Sequence, residues 1–140
     1  MTRHRIEIHQ DYDLPVERVF AHLAEHENLA SVFWPARIRR LSDGQGARNG
    51  VGSSRELRIL VAPPFVETVT AFQANERIEY RITRGSPLKN HCGVMRFERT
   101  PRGTHLHYTV VFEGRWPLVA ALIRPGLAFA MARGLRHLRC

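Results

Sequence analysis

Polar and apolar residues alternate at the start of the chain, with Ile6 and Ile8 set between Glu7 and His9, and this period of two predicts a strand over residues 3–11. The period then lengthens. Asp13 can cap a helix and Pro15 fits its first turn, while Val16, Val19, Phe20 and Leu23 fall on one helical face. A second short helix is expected over 27–33, closed by Trp34-Pro35.

Alternation returns over 36–41 and ends in the loop SDGQGARNGVG. Further strands are expected over 53–61, ended by Ala62-Pro63-Pro64, then 65–72 and, after a turn at 73–76, 77–84. Segments 93–99 and 104–113 read as a hairpin around Thr100-Pro101-Arg102-Gly103. The last segment is helical. A helix over 117–138 would be roughly 30 Å long, with Pro125-Gly126 expected to kink or split it. Leu118, Leu122, Pro125 and Phe129 lie at helical spacing, as do Met131, Leu135 and Leu138, and Arg133, Arg136 and Arg139 form the polar side. Arg124, Pro125 and Gly126 interrupt the apolar run, which argues against a membrane span. The order of strand, two short helices, six strands and one long helix predicts an α+β fold. In it a curved antiparallel sheet of about seven strands grips a long kinked C-terminal helix.

With 140 residues the chain suits a single domain spanning 1–140. The first fourteen residues lack the apolar core of a signal peptide, so a cytoplasmic location is expected. In that compartment Cys92 and Cys140 read as free thiols. No CxxC or HExxH spacing occurs, so no metal site is expected, and no cofactor motif is visible. The net charge is +8, carried by arginine, with Lys89 the single lysine. Such charge favours acidic partners. The arginines mostly alternate with apolar residues and form no dense basic run, which argues against nucleic acid.

The segments LPVERVFAHLAEHENLASVFWPARIRRLSDGQGARNGVGSSREL, VETVTAFQANERIEYRI and GVMRFERTPRGTHLHYTVVFEG together suggest a family. They carry a Pro-Val-Glu-x-Val-Phe helix start, a Trp-Pro before the second strand, a Gly-x-Gly before the third, a Glu-Tyr strand and a Gly-Thr before the seventh. In these features nearly the whole chain resembles the START-like superfamily, also called the SRPBCC or Bet v 1-like helix-grip fold, and within it the polyketide cyclase/dehydrase-like group. The resemblance implies the helix-grip fold. It implies a range of functions, from aromatase/cyclases through carriers of hydrophobic ligands and quinone-binding proteins to ribosome-associated factors. It supplies no catalytic residue by position.

Faces follow from register. With Arg99 opposite Thr104, the hairpin collects His91, Met95, Phe97, Leu106, Tyr108, Val110 and Phe112 on one face and Arg96, Glu98, His105 and His107 on the other. The first face is the interior. The outer histidines read as solvated surface, with Glu98 and His105 as a weak cross-strand pair, an arginine as the nearest neighbour and no third metal ligand in view. Four polar residues compete for the interior. His91 lies near a cavity mouth, as a satisfied core residue or a proton carrier. Tyr80 sits between Ile78 and Ile82, and Arg55 alternates with Leu57 and Ile59, turning it inward unless its head reaches solvent at the rim. Glu67 points inward if Ala71 faces Ile78; with the turn shifted by one residue, Phe72, Thr70 and Thr68 point inward instead. An inward Glu67 would pair with Arg55 or act as a base. Ile78, Ile82, Met95, Phe97, Tyr108 and Phe112 are expected to line the cavity from the sheet. Leu118, Leu122 and Phe129 would line it from the helix, with Trp34 packed at its mouth.

Three functions fit these features. The first is binding of a hydrophobic small molecule (lipid, quinone or polyketide-like) between sheet and helix. The second is a cyclase/dehydratase-type enzyme, with Arg55 or Tyr80 polarising a carbonyl and His91 or Glu67 moving a proton. The third, weakest for want of a basic stripe, is an RNA- or ribosome-associated module. An apolar strip on the last helix would suit a homodimer.

Overall fold

The computed structural model describes residues 3–59, 63–85, 88–114 and 117–138, and for 88, 114 and 117–123 the backbone alone. Its elements are β1 (Arg3–Tyr12), α1 (Val16–Ala24), a single 3-10 turn (His26–Asn28), α2 (Leu29–Val32), β2 (Ala36–Ser42), β3 (Ser54–Ile59), β4 (Phe65–Gln73), β5 (Arg77–Arg84), β6 (Leu88–Arg99), β7 (Thr104–Gly114) and α3 (Pro117–Arg136). The strands form one antiparallel sheet of order β1-β7-β6-β5-β4-β3-β2. Short breakers explain the run of hairpins from β2 to β7. The first strand forms one edge of the sheet by pairing with the last, over the whole register from Arg3↔Glu113 to Tyr12↔Thr104.

The helices cover one face. In α1 the buried positions Val16, Val19, Phe20 and Leu23 are those the helical spacing selects; each such side chain contributes about 1.5–3 kcal/mol when taken out of water. Phe20 meets Phe72 and Phe97 edge-on, with centroids 5.3 and 5.0 Å away. Helix α3 packs on β1, β7 and α2. It runs unbroken through Pro125 and ends at Arg136, so the proline does not split it. Two devices hold it down. Met131 and Leu135 are buried, and the Tyr12 hydroxyl donates to the Leu135 carbonyl at 2.7 Å. Gly134 lets the helix approach α2: a Cβ there would lie 2.2 Å from the Val32 carbonyl oxygen.

The β6–β7 register is the one the sequence predicts from Arg99↔Thr104 to Gly93↔Val110. Beyond it a bulge intervenes between Lys89 and Cys92, with Asn90 at φ 51°, and the expected His91–Phe112 pairing is lost. His91 still points inward. Two of the expected interior residues lie elsewhere. Trp34 and Phe129 are each 69% exposed. They line an outer apolar hollow of about 560 Å³ with Val32, Pro35, Ala130 and Gly134. The cause is the rotation of α3 set by Met131 and Leu135, which turns Phe129 away from the sheet. Leu118 and Leu122 lie outside the residues whose side chains are described. No described helix is long and apolar enough to cross a membrane.

Candidate functional site

Glu67 settles its direction by a bulge. Near the turn Phe72 faces Ile78, which alone would turn Glu67 outward. The register then shifts between Val69 and Ala71, leaving Thr70 as the extra residue, and Glu67 comes opposite Ile82. Both sequence alternatives therefore hold in part: Phe72 packs on the core, and Val69 and Glu67 also point in. On β3, Arg55 sits cross-strand from Glu67. Its Nε donates to Glu67 Oε1 at 2.9 Å, and both side chains are almost fully buried. Arg55 Nη2 lies 2.8 Å from the same oxygen as an ion-pair contact outside hydrogen-bonding geometry and has no hydrogen-bond acceptor among the described residues.

Tyr80 follows on β5. Its ring lies under the Arg55 guanidinium, 4.7 Å from carbon to centroid. The space for that ring comes from Gly93, its partner on β6: a Cβ there would stand 2.2 Å from Tyr80 Cζ. The Tyr80 hydroxyl makes a short hydrogen bond to that of Tyr108 on β7. Burial pushes both phenols well above their ordinary range, and the nearby Glu67 charge pushes the same way.

His91 completes the group. Its ring is 5.5 Å from that of Tyr80, and its Nδ1 accepts the Ile82 backbone N–H at 3.2 Å. The neutral ring therefore carries its proton on Nε2, which faces Glu67 Oε2 at 3.8 Å. Burial lowers the His91 pKa, with Arg55 adding to the effect and Glu67 opposing it. With Nδ1 occupied, neutral His91 offers a donor rather than a lone pair.

Five strands thus bring Arg55, Glu67, Tyr80, His91 and Tyr108 together on the inner face. Around them Ile78, Met95, Phe97 and Phe112 are buried and Ile82 is half-buried. Sequence reasoning took Tyr108 for an apolar liner and missed its role as partner to Tyr80, because the pairing needs three strands in place. It missed His26 altogether. That residue is fully buried beside β3, with Nε2 3.0 Å from Ser53 Oγ. Since Ser53 Oγ donates to the Gly50 carbonyl at 2.7 Å, His26 Nε2–H is the donor to it, and Nδ1 has no partner among the described residues. Burial, then the charge of Arg55, lowers the His26 pKa to about 3. Nothing in the polar stretch AEHEN distinguishes His26 from its polar neighbours, of which Glu27 is exposed and Glu25 and Asn28 are half-buried.

Comparison with solved structures shows the fold. An aromatase/cyclase from Streptomyces sp. R1128 superposes with a TM-score of 0.76 at 18% identity, over 96% of this chain and 92% of the other. Norcoclaurine synthase from Thalictrum flavum gives 0.69 at 10% identity, over 96% and 84%. Ara h 8.0201 gives 0.65 at 14% identity, over 96% and 95%. No curated protein matches the sequence. The family model described as polyketide cyclase/dehydrase and lipid transport matches residues 3–140, and the chain belongs to that family.

Proposed function

We propose that the protein binds an apolar small molecule carrying a carbonyl or phenolic oxygen, held between the inner sheet face and α3 with that oxygen at the Arg55–Glu67–Tyr80–His91–Tyr108 group. The observation that carries this is the convergence of five polar side chains on an otherwise apolar inner face. Among the described residues Arg55 Nη2 has only its ion-pair contact with Glu67 Oε1, and His91 Nε2 only the distant Glu67 Oε2. An oxygen acceptor on the ligand would satisfy them, and an alkane would not. The family description, which joins cyclisation with lipid transport, supports a ligand of this class.

Native mass spectrometry of the protein from its own source, followed by denaturing extraction, tests this reading. A stoichiometric apolar molecule bearing an oxygen acceptor is expected, with weaker retention after Tyr80→Phe. A pure hydrocarbon, or retention unchanged by Tyr80→Phe and Arg55→Met, overturns it.

A second reading, a cyclase/dehydratase-type enzyme, is favoured by the donor geometry. Arg55 Nη2 and the tyrosine pair would polarise a carbonyl, and Glu67 rather than His91 would accept a proton, since the His91 Nδ1 lone pair is already engaged. Turnover of an aromatic poly-carbonyl substrate that survives both Tyr80→Phe and Glu67→Gln rules out this chemistry.

A further inference from the structure

The outer face of the sheet holds a second cluster, far from the first in chemistry. Pairing of β1 with β7 sets His9 opposite His107 and Asp11 opposite His105, with Glu7 one step along on the same face. The third ligand that neither hairpin strand supplies thus comes from the other end of the chain. One ligating atom each from Glu7, His9 and His107 lies within 4.8 Å of the others. His107 Nε2 is 2.9 Å from Glu7 Oε1 and 3.3 Å from Thr109 Oγ1. The rings of His9 and His107 stack at 4.3 Å, inclined by 11°.

The remaining pair orients this trio. His105 Nδ1 is 2.7 Å from Asp11 Oδ1, so it carries a proton and donates. In the neutral ring His105 Nε2 is then an acceptor, and His9 Nδ1, 3.0 Å away, donates to it. The relay leaves the His9 Nε2 lone pair free. A carboxylate acting through one imidazole on a ligating imidazole is the arrangement that holds metal-binding histidines in place. His105 therefore pairs with Asp11, and the cross-strand Glu98 is not its partner.

We propose that Glu7, His9 and His107 bind a divalent transition-metal ion of the zinc class, with Asp11 and His105 as positioning residues. Two imidazoles and one carboxylate suit zinc, whose ligand atoms sit roughly 3–3.5 Å apart around one ion; the stacked rings of His9 and His107 hold their in-plane lone pairs nearly parallel, so closing the site turns one ring about its Cβ–Cγ bond. The ion takes the place of the proton that His107 Nε2 holds toward Glu7, and in the neutral ring that proton moves to Nδ1. A fourth position stays open. Arg96, cross-strand from His107, and Arg77 line the same depression. Glu76 and Glu98 line it too, so the two arginine charges are offset there and a cation is tolerated. Arg5, 3.5 Å from Glu7 Oε1, competes for the carboxylate from an exposed position.

The test uses the full chain stripped by chelator and titrated with Zn²⁺ by calorimetry, and with Co²⁺ by absorption. One equivalent of metal is expected, with a ligand-field spectrum lacking thiolate-to-cobalt charge transfer. Uptake is lost in His9→Ala/His107→Ala. It weakens about 10–100-fold in Asp11→Asn, a near-isosteric change on an exposed face. No uptake by the native chain overturns the proposal, and so does a thiolate band or unchanged affinity in both His9→Ala/His107→Ala and Asp11→Asn.

Discussion

The inner and outer faces of one sheet carry the same kinds of side chain and put them to opposite use. Inside, Arg55, Glu67, Tyr80, His91 and Tyr108 are shut away from water, and burial sets the protonation of the phenols and of the imidazole. Outside, Glu7, His9, Asp11, His105 and His107 are exposed or half-buried and stay open to exchange with solvent and ions. Hydrogen bonding to His107 lowers the Glu7 pKa there, where burial has little hold. The difference teaches that environment, rather than residue type, decides whether a polar group has its protonation fixed by burial or left to exchange with solvent and ions.

The largest break in this comparison comes from Arg55→Met. It leaves Glu67 buried without its counter-ion, and about 3–5 kcal/mol of stability is expected to go. Arg99→Ala removes an exposed partner of Glu17 and is expected to leave the unfolding midpoint close to that of the native chain. Urea unfolding of the two variants measures the contrast, and equal losses would show that the inner pair is no different from a surface one.

Gly93→Ala comes next. The added methyl collides with the Tyr80 ring, and a loss of about 1–3 kcal/mol is expected, together with changed tyrosine absorption. At Gly126 a Cβ meets nothing, and Gly126→Ala is expected to stabilise α3 by up to about 1 kcal/mol. Thermal unfolding of both separates packing from helix propensity.

Acid sharpens the contrast further. The unfolded chain protonates His26 near its ordinary value of 6.5, while the folded state holds it neutral down to about 3. Stability is therefore full above pH 6.5 and falls as pH drops toward about 3, by up to about 1.4 kcal/mol per pH unit. His22 and His91, lowered mainly by burial, act in the same direction. Denaturant midpoints between pH 7 and 4 should show a shallower decline in His26→Gln than in the native chain. Parallel declines would place the acid sensitivity elsewhere.

The smallest effect belongs to the outer apolar hollow. Phe129→Ser is expected to change stability by no more than about 0.5 kcal/mol, whereas Met131→Ala, two residues on, should cost about 2–5 kcal/mol. Calorimetric melting of the pair locates the buried face of α3.

Much of this was legible in the chain, for local reasons. Period-two runs marked the strands. Register in the β6–β7 hairpin followed from keeping Met95, Phe97 and Tyr108 off the charged face, and it put His91 inside. Tyr80 and Arg55 were found because they alternate with apolar neighbours. Glu67 was undecided because a single bulge at Thr70 outweighs the turn, and a bulge leaves no mark in the hydrophobic pattern. Trp34 and Phe129 were misplaced because helical spacing gives a stripe without saying which way the helix is rolled.

By itself, then, the sequence determined the order of elements, the apolar face of each and the membership of a family with a helix-grip fold, because these rest on periodicity and turn chemistry within a few residues. Tertiary structure alone decided the rest. It paired Tyr80 with Tyr108 and Arg55 with Glu67, shut His26 away beside Ser53, and brought Glu7 and His9 to His107 from the opposite end of the chain. Those contacts depend on which strands become neighbours, and that is settled by the burial of the whole inner face at once.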